Sequence, residues 1–529
     1  MNYRFKWGFI GLCSVLLFFF VYPYSVASAN EPPRILFVYD SLNIAEKKEN
    51  DVDAIQRLLT SSGAIVQTVE TDKYIGGMLS NTDYDGVITL INWPQKELSE
   101  HFVKDRQAFS GKKLHIGPKL TADEQSLFSG KWRKLSHRQF TLKDEQHFYS
   151  QTLGYQDEIT VLEGSAGLSI GLLQTQEIDH EEIPFGVLEK NNGFLPFFNQ
   201  KGAVFLKSAE LVNQWLGEHQ SFSPILTIDG LNPMKDMSIA SKFQQLLAKT
   251  NIPYIISTTS TNQNNTTAPF DIFTDILRSF ESGTGIIFLE VPVVNNVNLN
   301  DNHALSQMLE QQISLLIEES IFPVGLSTYG YWNQDAQYQA DGLELSKTVI
   351  LRENPAIEKQ YYRSRTKKST IFQTAFFNIP FDYLEGVTWQ RNGNTSDYEF
   401  PMPVTMSFSF PDSDKEIATV LKKIDQSPLF FYQIGKSHFE FDLQTQTQHI
   451  ELLNSRRYLN GKLVNSLNNV TNKAIPETTF KGQFARLFNI TNVVLIVVVV
   501  ATMSVLAVLF FFGRRNYRSK YIQKKGDHK

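Results

Sequence analysis

The stretch Ile225-Leu226-Thr227-Ile228-Asp229-Gly230-Leu231-Asn232-Pro233 decides how this chain of 529 residues is interpreted. A short apolar run leads into an acidic residue and a glycine, which predicts a buried strand that ends in a turn at Asp229. In a barrel of parallel strands, catalytic and binding groups lie at the carboxyl ends of the strands. Asp229 is therefore the first candidate site residue.

Strand and helix patterns alternate after this stretch. A helix is predicted over about Met237 to Lys249, and the segment from Ile252 to Thr258 is typical of the next buried strand. Alternation of this kind favours parallel strands that are connected by helices. The sequence therefore predicts a (β/α) barrel over about residues 221–472.

The order and spacing of these segments resemble an exported, polysaccharide-deacetylase-like family of Gram-positive bacteria, which is related to the NodB-homology enzymes. The family carries LRxEDVNP where this chain has LTIDGLNP, and a GVPF strand where it has Ile252 to Thr258. The resemblance implies a (β/α) barrel and, in active members, removal of an acetyl group from an amide. That reaction needs a metal, a carboxylate base and a histidine acid.

The first carboxylate of the family motif is present as Asp229, but each of the four sites that would perform this chemistry carries at least one unsuitable residue. Gly230 replaces the metal-binding aspartate, and Leu289 and Val293 replace the two histidines, so none of these side chains can bind the cation. Two later motifs are changed as well, with Ser327 for a glutamate, Gly330 for a histidine, and no histidine in residues 430–433. We therefore expect a pseudoenzyme with no metal and no cofactor, in which Asp229 holds a turn.

An alternative role for the strand ends involves two carboxylates. Asp229 and Glu290 both follow predicted strands, so they are the candidate catalytic pair across the barrel mouth. Two such carboxylates can hydrolyse a glycosidic bond without a metal. The chain could then be an active glycoside hydrolase or deacetylase with a rebuilt site around Asp229 and Glu290.

A cluster of aromatic and polar residues follows another predicted strand of the barrel. Carbohydrate sites stack aromatic rings on sugar rings and surround them with amides and carboxylates. The carbohydrate-binding candidates are Tyr329, Tyr331, Trp332, Asn333 and Asp335. The alternative is a loop that packs its aromatic rings against the rim of the barrel.

The region before the barrel divides into two parts. Residues 30–130 alternate strands, such as 34–39 and 84–91, with a helix over about 52–59. This part resembles the flavodoxin-like domain of glutamine-amidotransferase relatives, although their nucleophilic cysteine is absent. Asp40 and Ser41 follow the first strand, where they could bind a ligand or cap a helix. Residues 131–220 have short alternating runs with glycines, which predicts a β-rich subdomain.

The two ends of the chain indicate where it works. Residues 1–29 have the charged start, apolar run and Ala-Ser-Ala end of a signal peptide, and they contain the only cysteine, Cys13. Residues 493–512 form an apolar run long enough for a transmembrane helix, which a stalk (473–492) precedes and a basic tail (513–529) follows. The basic tail predicts a type I topology with the bulk of the chain outside the cell. An exported chain without disulfides favours a Gram-positive bacterium.

These features predict a non-catalytic, membrane-anchored extracellular protein that binds or assists production of a cell-surface exopolysaccharide. The resemblance implies a membrane glycosyltransferase complex as a partner, and the net charge of −5 argues against nucleic acid. Besides the active enzyme, a third function stays open: an extracellular scaffold or sensor that binds a partner protein through its N-terminal domain. The sequence does not identify the polymer.

Overall fold

The structure is a computed structural model that describes residues 31–144, 146–176, 181–259, 267–292, 304–355, 369–370, 372–389, 398–433, 439–464 and 480–521. The predictions on the signal peptide (1–29), on Val293 and on the last residues of the tail lie outside the described residues.

The N-terminal region is built on a parallel arrangement of four strands. Strand β1 (Arg34–Tyr39) lies between β2 (Ile65–Glu70) and β3 (Gly86–Leu90), and β3 pairs in parallel with β4 (Lys112–Ile116). The helix between β1 and β2 covers Glu49–Ser61 and buries its apolar side chains. The predicted alternation of strands and helix in this region is therefore confirmed.

The strands of the predicted β-rich subdomain extend this sheet. They are β5 (Lys131–Arg138), β6 (Phe140–Asp144), β7 (Tyr149–Thr152), β8 (Gln156–Glu163), β9 (Leu168–Thr175), β10 (Glu182–Glu189) and β11 (Asn192–Leu195). Strand β11 pairs in parallel with β4, and the sheet then runs through β10, β9, β6 and β7. Only β5 and β8 form a separate ribbon among the described strands. One ten-stranded sheet thus crosses the expected boundary at residue 130.

Helices of this region pack on the sheet. They span Glu100–Ala108, Ala122–Gln125 and Gly202–Leu216. The last of them is almost wholly buried and ends at Gly217, whose positive φ of 94° is typical of a helix C-terminus.

The second region is a closed barrel of seven parallel strands. The strands are β12 (Ile225–Leu231), β13 (Tyr254–Thr258), β14 (Gly285–Glu290), β15 (Leu326–Tyr329), β16 (Thr348–Arg352), β17 (Thr374–Pro380) and β19 (Val404–Ser409). The barrel helices are Met237–Leu247, Ala268–Ser282, Ala304–Glu318, Ala336–Asp341 and Asp414–Asp425. The predicted α/β barrel with parallel strands is confirmed.

A small antiparallel sheet follows the barrel. Its strands are β20 (Phe441–Gln444), β21 (His449–Leu453), β22 (Arg456–Leu459) and β23 (Lys462–Leu463). Phe441 places its ring next to Phe288 and Phe376, at centroid distances of 5.9 and 6.2 Å. Both partners lie below the strand ends and face the interior, so this sheet closes the amino end of the barrel and leaves the carboxyl end as the mouth.

The two regions share one apolar core. The helix Glu49–Ser61 lies against β17, and Phe205 of the helix Gly202–Leu216 stacks on Phe377 at 4.8 Å. Segments of the barrel region also pair with both ends of the ten-stranded sheet, and one of them supplies its tenth strand. Strand β18 (Thr388–Trp389) pairs with β7, and Ser369 exchanges hydrogen bonds with Val66 on β2.

The chain ends in a long helix, Phe480–Tyr521. Within it, Val498–Arg518 is long and apolar enough to cross a membrane, judged by its length and composition. This range overlaps the predicted transmembrane segment at residues 493–512.

Candidate functional site

The barrel mouth is lined by one polar side chain from each strand. Neighbouring residues in register on parallel strands point to the same face, and alternate residues along a strand point to opposite faces. The pairings of the barrel strands therefore place one inward-facing polar residue at or near each carboxyl end. These residues are Asp229, Ser257, Glu290, Ser327, Arg352, Asn378 and Ser407.

Glu290 is held by donors from three other strands of the barrel and from the turn after one of them. Its Oε1 accepts hydrogen bonds from the Gly230 amide at 3.0 Å and the Ser257 hydroxyl at 3.1 Å. Its Oε2 accepts one from the Thr259 hydroxyl at 3.2 Å, and Arg352 Nη1 lies 2.9 Å from Oε1. Because most of its acceptor capacity is used, Glu290 stabilises the mouth and is poorly placed to act as a free base.

Asp229 has a different environment. One of its oxygens, Oδ1, is buried and has no hydrogen-bond partner among the described residues, while Oδ2 lies 3.8 Å from Arg352 Nε. Burial raises the pKa of Asp229 to about 6; the Arg352 charge opposes the rise, the Glu290 charge adds to it, and the Ser407 hydroxyl opposes it. Asp229 lines the cavity, and its carboxyl group therefore changes between the protonated and ionised forms close to neutral pH.

Arg352 is the residue of this site that the sequence analysis missed. Its guanidinium forms an ion pair with Glu290 and lies near Asp229, and it lies 5.3 Å above the centre of the Tyr329 ring. The signal was present in the sequence, since Arg352 ends the buried run Thr348–Arg352. A charged residue directly after an apolar strand is a candidate for the barrel mouth for the same reason as Asp229.

Gly230 permits an unusual backbone conformation at the end of β12. Its φ of +87° lies in a region that L-residues rarely adopt, and it forms an irregularity in the pairing of β12 with β13. A Cβ atom at this position would meet no heavy atom within 4 Å. The glycine therefore allows the turn that directs its own amide at Glu290, and a side chain at this position is disfavoured by the backbone conformation and not by lack of space.

The residues at the mouth do not fit the metal that the resemblance implies. Leu289 is buried and adjoins the inward-facing Glu290, so its side chain points away from the mouth. Asp229 and Glu290 are the described carboxylates nearest to the expected position, and the Arg352 guanidinium already lies between them. We therefore derive no chemical step through a metal at this site.

A second group of possible metal ligands lies on the sheet at the opposite end of the barrel. Asp442, His449 and Glu451 have ligand atoms within 4.8 Å of one another. Lys347 Nζ already lies 2.8 Å from Asp442 Oδ2, and His449 Nε2 lies 3.2 Å from the same oxygen. These contacts make the group an ion-pair cluster that joins the sheet to the barrel.

A cavity of about 590 Å³ opens from the mouth toward the helix Asp414–Asp425. Tyr329, Phe381 and Phe408 give it aromatic surface, and the last two rings stack at 4.6 Å. Its polar lining combines carboxylates, cations, an amide and hydroxyls: Asp229, Glu353, Asp382, Glu416, Arg352, Lys415, Lys423, Asn378, Ser407, Ser409, Ser413 and Thr419. Such a surface can bind a polar, ring-shaped molecule.

Of the predicted carbohydrate-binding cluster, only Tyr329 reaches this cavity. Tyr331 and Trp332 are buried, with 1% and 0% of their surface exposed, beneath the N-terminal region. Asn333 Nδ2 donates to the Thr60 hydroxyl of that region at 3.3 Å. Asp335 caps the helix Ala336–Asp341 through hydrogen bonds from backbone amides. Tyr331, Trp332 and Asn333 thus pack two regions together and Asp335 caps a helix, and the burial of all four leaves no place for a sugar ring in this conformation.

Asp40 lies at the end of the first strand of the N-terminal region, and its carboxylate already has hydrogen-bond partners within the protein. Its carboxylate accepts hydrogen bonds from the backbone amides of Ser41, Asn92 and Trp93 at 2.7, 2.7 and 2.8 Å. It is fully buried, and it ties the end of β1 to the loop that follows β3. Asp40 thus has a structural role here.

Comparisons with known proteins give little further information. No family model matches the chain, and no curated protein matches it. Among solved structures, a protein from Parabacteroides merdae described as ThuA-like matches at 12% identity. The match covers 33% of this chain and 82% of that chain, with a TM-score of 0.21, which is too low to identify a shared fold.

Proposed function

We propose that the barrel is a carbohydrate-binding module that performs no metal-dependent chemistry, and that the protein binds or assists production of a cell-surface polysaccharide from the outer face of the membrane. One observation carries this proposal: a cavity at the barrel mouth combines aromatic rings with carboxylates, an amide and hydroxyls. Aromatic faces and polar groups of these kinds suit a hydroxyl-rich ring.

The wider context of the proposal comes from the sequence. The resemblance to deacetylase-like proteins supports an evolutionary origin for the barrel in a carbohydrate-active fold, with a flavodoxin-like domain before it. The helix at the C-terminus and the basic residues after it support a type I anchor. A membrane glycosyltransferase complex is the partner that we propose on the strength of the resemblance.

In the bound state, the mouth would use groups that are already fixed in place. Tyr329, whose ring contacts Arg352 and stacks with Tyr331, would present the part of its ring that lines the cavity, and the amide of Asn378 would contact hydroxyls of the sugar. Arg352 and Glu290 would hold each other and the strand ends rigid. Such preorganisation lowers the entropic cost of binding.

A glycan array, combined with release assays, tests this function. The exported region (residues 31–464) should retain at least one class of oligosaccharide. Incubation with that glycan should release neither acetate nor new reducing ends, with or without added divalent metal. Metal-dependent release of acetate would contradict the proposal, and so would an array on which no glycan is retained.

The second candidate function is hydrolysis by Asp229 and Glu290, and a specific observation favours it. The pKa of Asp229 is raised to about 6, as a general acid requires, whereas Glu290 is paired with Arg352. Asp229→Asn would then abolish the release of reducing ends. Under the binding proposal there is no such release to abolish, and the variant changes affinity alone.

A further inference from the structure

The inner part of the mouth carries more negative than positive charge. Three carboxylates lie there, those of Asp229, Glu290 and Glu353, and the cation among them is Arg352. Arg352 is closest to Glu290, at 2.9 Å, and lies 3.8 Å from Asp229. When all four groups are ionised, one positive charge faces three negative charges.

Glu353 is held by neutral donors. Gln200 Nε2 donates to its Oε1 at 3.1 Å, and the Tyr383 hydroxyl donates to its Oε2. Lys201 lies over the Tyr383 ring and makes no ion pair with Glu353 in the described structure. The negative charge of Glu353 therefore adds to the imbalance.

The outer wall of the cavity, formed by Asp382, Lys415, Glu416 and Lys423, has no such imbalance. Two of these residues are acidic and two are basic. Lys423 also forms ion pairs with Asp382 and with Glu385. The excess negative charge is thus confined to the inner mouth.

Two buried oxygens at the inner mouth lack partners among the described residues. Asp229 lines the cavity with 9% of its surface exposed, and its buried Oδ1 has no hydrogen-bond partner among the described residues. Ser327, which is 1% exposed and lies behind the cavity lining, has an unpartnered hydroxyl on the inward face of β15, in register with Glu290. Buried polar atoms are almost always paired in proteins, so an unpaired acceptor on a residue that lines a cavity suits a ligand that supplies the donor.

We propose that the inner mouth selects a sugar that carries a positively charged amine, that is, an amino sugar with a free amino group, over the N-acetylated or neutral sugar. This inference rests on the proposed carbohydrate-binding function. An ammonium group donates up to three hydrogen bonds and brings the missing positive charge. An acetamide or a hydroxyl could fill the same space but would leave the charge of the mouth uncompensated.

Three tetrasaccharides with the same β-1,4-linked backbone test the inference: those of glucosamine, N-acetylglucosamine and glucose. Their affinities for the exported region are measured by titration calorimetry near pH 6.5, where a large share of the glucosamine amines is protonated and Asp229, with a pKa of about 6, is mostly ionised. The glucosamine tetramer should bind about tenfold to a hundredfold more tightly than the other two, as expected for a hydrogen bond to a charged group. Addition of salt should weaken this preference only modestly, because the carboxylates are buried.

Two variants examine the origin of the preference. Asp229→Asn and Glu353→Gln each remove one negative charge from the inner mouth with little change in shape, and each should lower the preference for the amine severalfold. Asp275→Asn removes a charge that Arg278 already neutralises on the helix Ala268–Ser282, which does not line the cavity, so it is the matched control and should leave the preference unchanged. Melting temperatures of all three variants establish that they are folded.

The outcomes separate this inference from the proposed function. Equal binding of the three tetramers, or tighter binding of the acetylated or neutral one, would overturn the amine preference and leave carbohydrate binding standing. A preference that both Asp229→Asn and Glu353→Gln leave intact would also overturn it. If none of the tetramers binds, the inference is lost, and a blank glycan array would remove the proposed function as well.

Discussion

Asp229 couples the protonation of the barrel mouth to the stability of the chain. Its pKa is raised from 3.8 to about 6, mainly by burial. Between these two values the folded protein binds more protons than the unfolded chain. The contribution of Asp229 to the free energy of unfolding therefore falls as pH rises from about 4 to 6, by about 3 kcal/mol at most.

Asp229→Asn should remove this pH dependence. The variant should be more stable relative to the wild type at pH 8 than at pH 4, with a difference of about 1 to 3 kcal/mol between the two conditions. Urea unfolding of both proteins at the two pH values measures it, and other titrating groups cancel in the comparison. A variant that loses stability relative to the wild type as pH rises would show that Asp229 is ionised and well paired in the folded protein.

Gly230 permits a second prediction at the scale of single residues. Gly230→Ala should cost about 1 to 2 kcal/mol, because its Cβ meets no atom within 4 Å and only the backbone at φ +87° is strained. Gly285→Ala is the matched comparison, since its Cβ would lie 2.4 Å from the Phe280 carbonyl oxygen on rigid backbone. Chemical denaturation should therefore show the larger loss for Gly285→Ala, and the reverse order would contradict this account of Gly230.

Single-residue roles could be predicted from the sequence only where the strand pattern placed a side chain. Asp229 and Glu290 follow apolar runs, and both lie at the mouth as predicted. Whether Trp332 and Tyr331 are exposed or buried could not be predicted this way, because an aromatic loop can face solvent or a second domain. Their burial depends on the N-terminal helix that packs against them, a contact between residues far apart in the chain.

At the scale of elements, the helix Glu49–Ser61 connects the N-terminal region to the cavity. Its buried Asp53 and Arg57 form an ion pair at 2.8 Å. Arg57 also lies over the Phe377 ring at 4.4 Å, and Asp53 accepts a hydrogen bond from the Asn354 amide at 3.5 Å. Since Asn354 follows Arg352 and Glu353 in the chain, this helix supports the strand end that carries the charged groups of the mouth.

Arg57→Ala should destabilise the folded region 31–464 strongly. The change leaves the Asp53 carboxylate buried without its cation, which typically costs about 3 to 5 kcal/mol. Lys48→Ala on the same helix is the control: it removes a partly exposed ion pair with Asp51 and should cost less than about 1 kcal/mol. Denaturant unfolding compares the two variants, and equal losses would mean that the buried pair has no special role.

The existence of most elements in the alternating regions was predictable, because the periodicity of apolar residues records which face is buried. The strand predicted at residues 84–91 is found as Gly86–Leu90, and the helix predicted at 52–59 is longer, Glu49–Ser61. The extra residues of the helix are polar or bury against the barrel. The local periodicity of apolar residues does not predict the contact between this helix and the barrel.

At the scale of the whole molecule, segments of the barrel region pair with strands of the N-terminal region that would otherwise have free edges. Strand β18, from the barrel region, pairs with β7 as the last strand of the ten-stranded sheet, and Ser369 pairs with β2 at the opposite edge. Exposed sheet edges present unpaired backbone groups that promote aggregation. The pairing of β11 with β4 across residue 130 could not be predicted from local patterns, because strand order in a sheet depends on contacts distant in sequence.

The N-terminal region expressed alone (residues 31–220) should therefore aggregate. Without the barrel, β2 and β7 become open edges, and Phe205 loses its stacking contact with Phe377. Size-exclusion chromatography of this fragment, beside the whole region 31–464 as control, measures the effect. A soluble, monomeric fragment with a cooperative melting transition would contradict the view that the two regions form one folding unit.

The central claim is that the barrel mouth is the carbohydrate site, and one affinity comparison tests it most directly. The glycan that binds most tightly on the array is titrated into the wild type, Tyr329→Ala and Trp332→Phe. Tyr329 lines the cavity and Trp332 is fully buried. We predict that Tyr329→Ala weakens binding about tenfold or more, while Trp332→Phe lowers the melting temperature and leaves affinity unchanged. Unchanged affinity in Tyr329→Ala would place the carbohydrate site elsewhere and contradict the account.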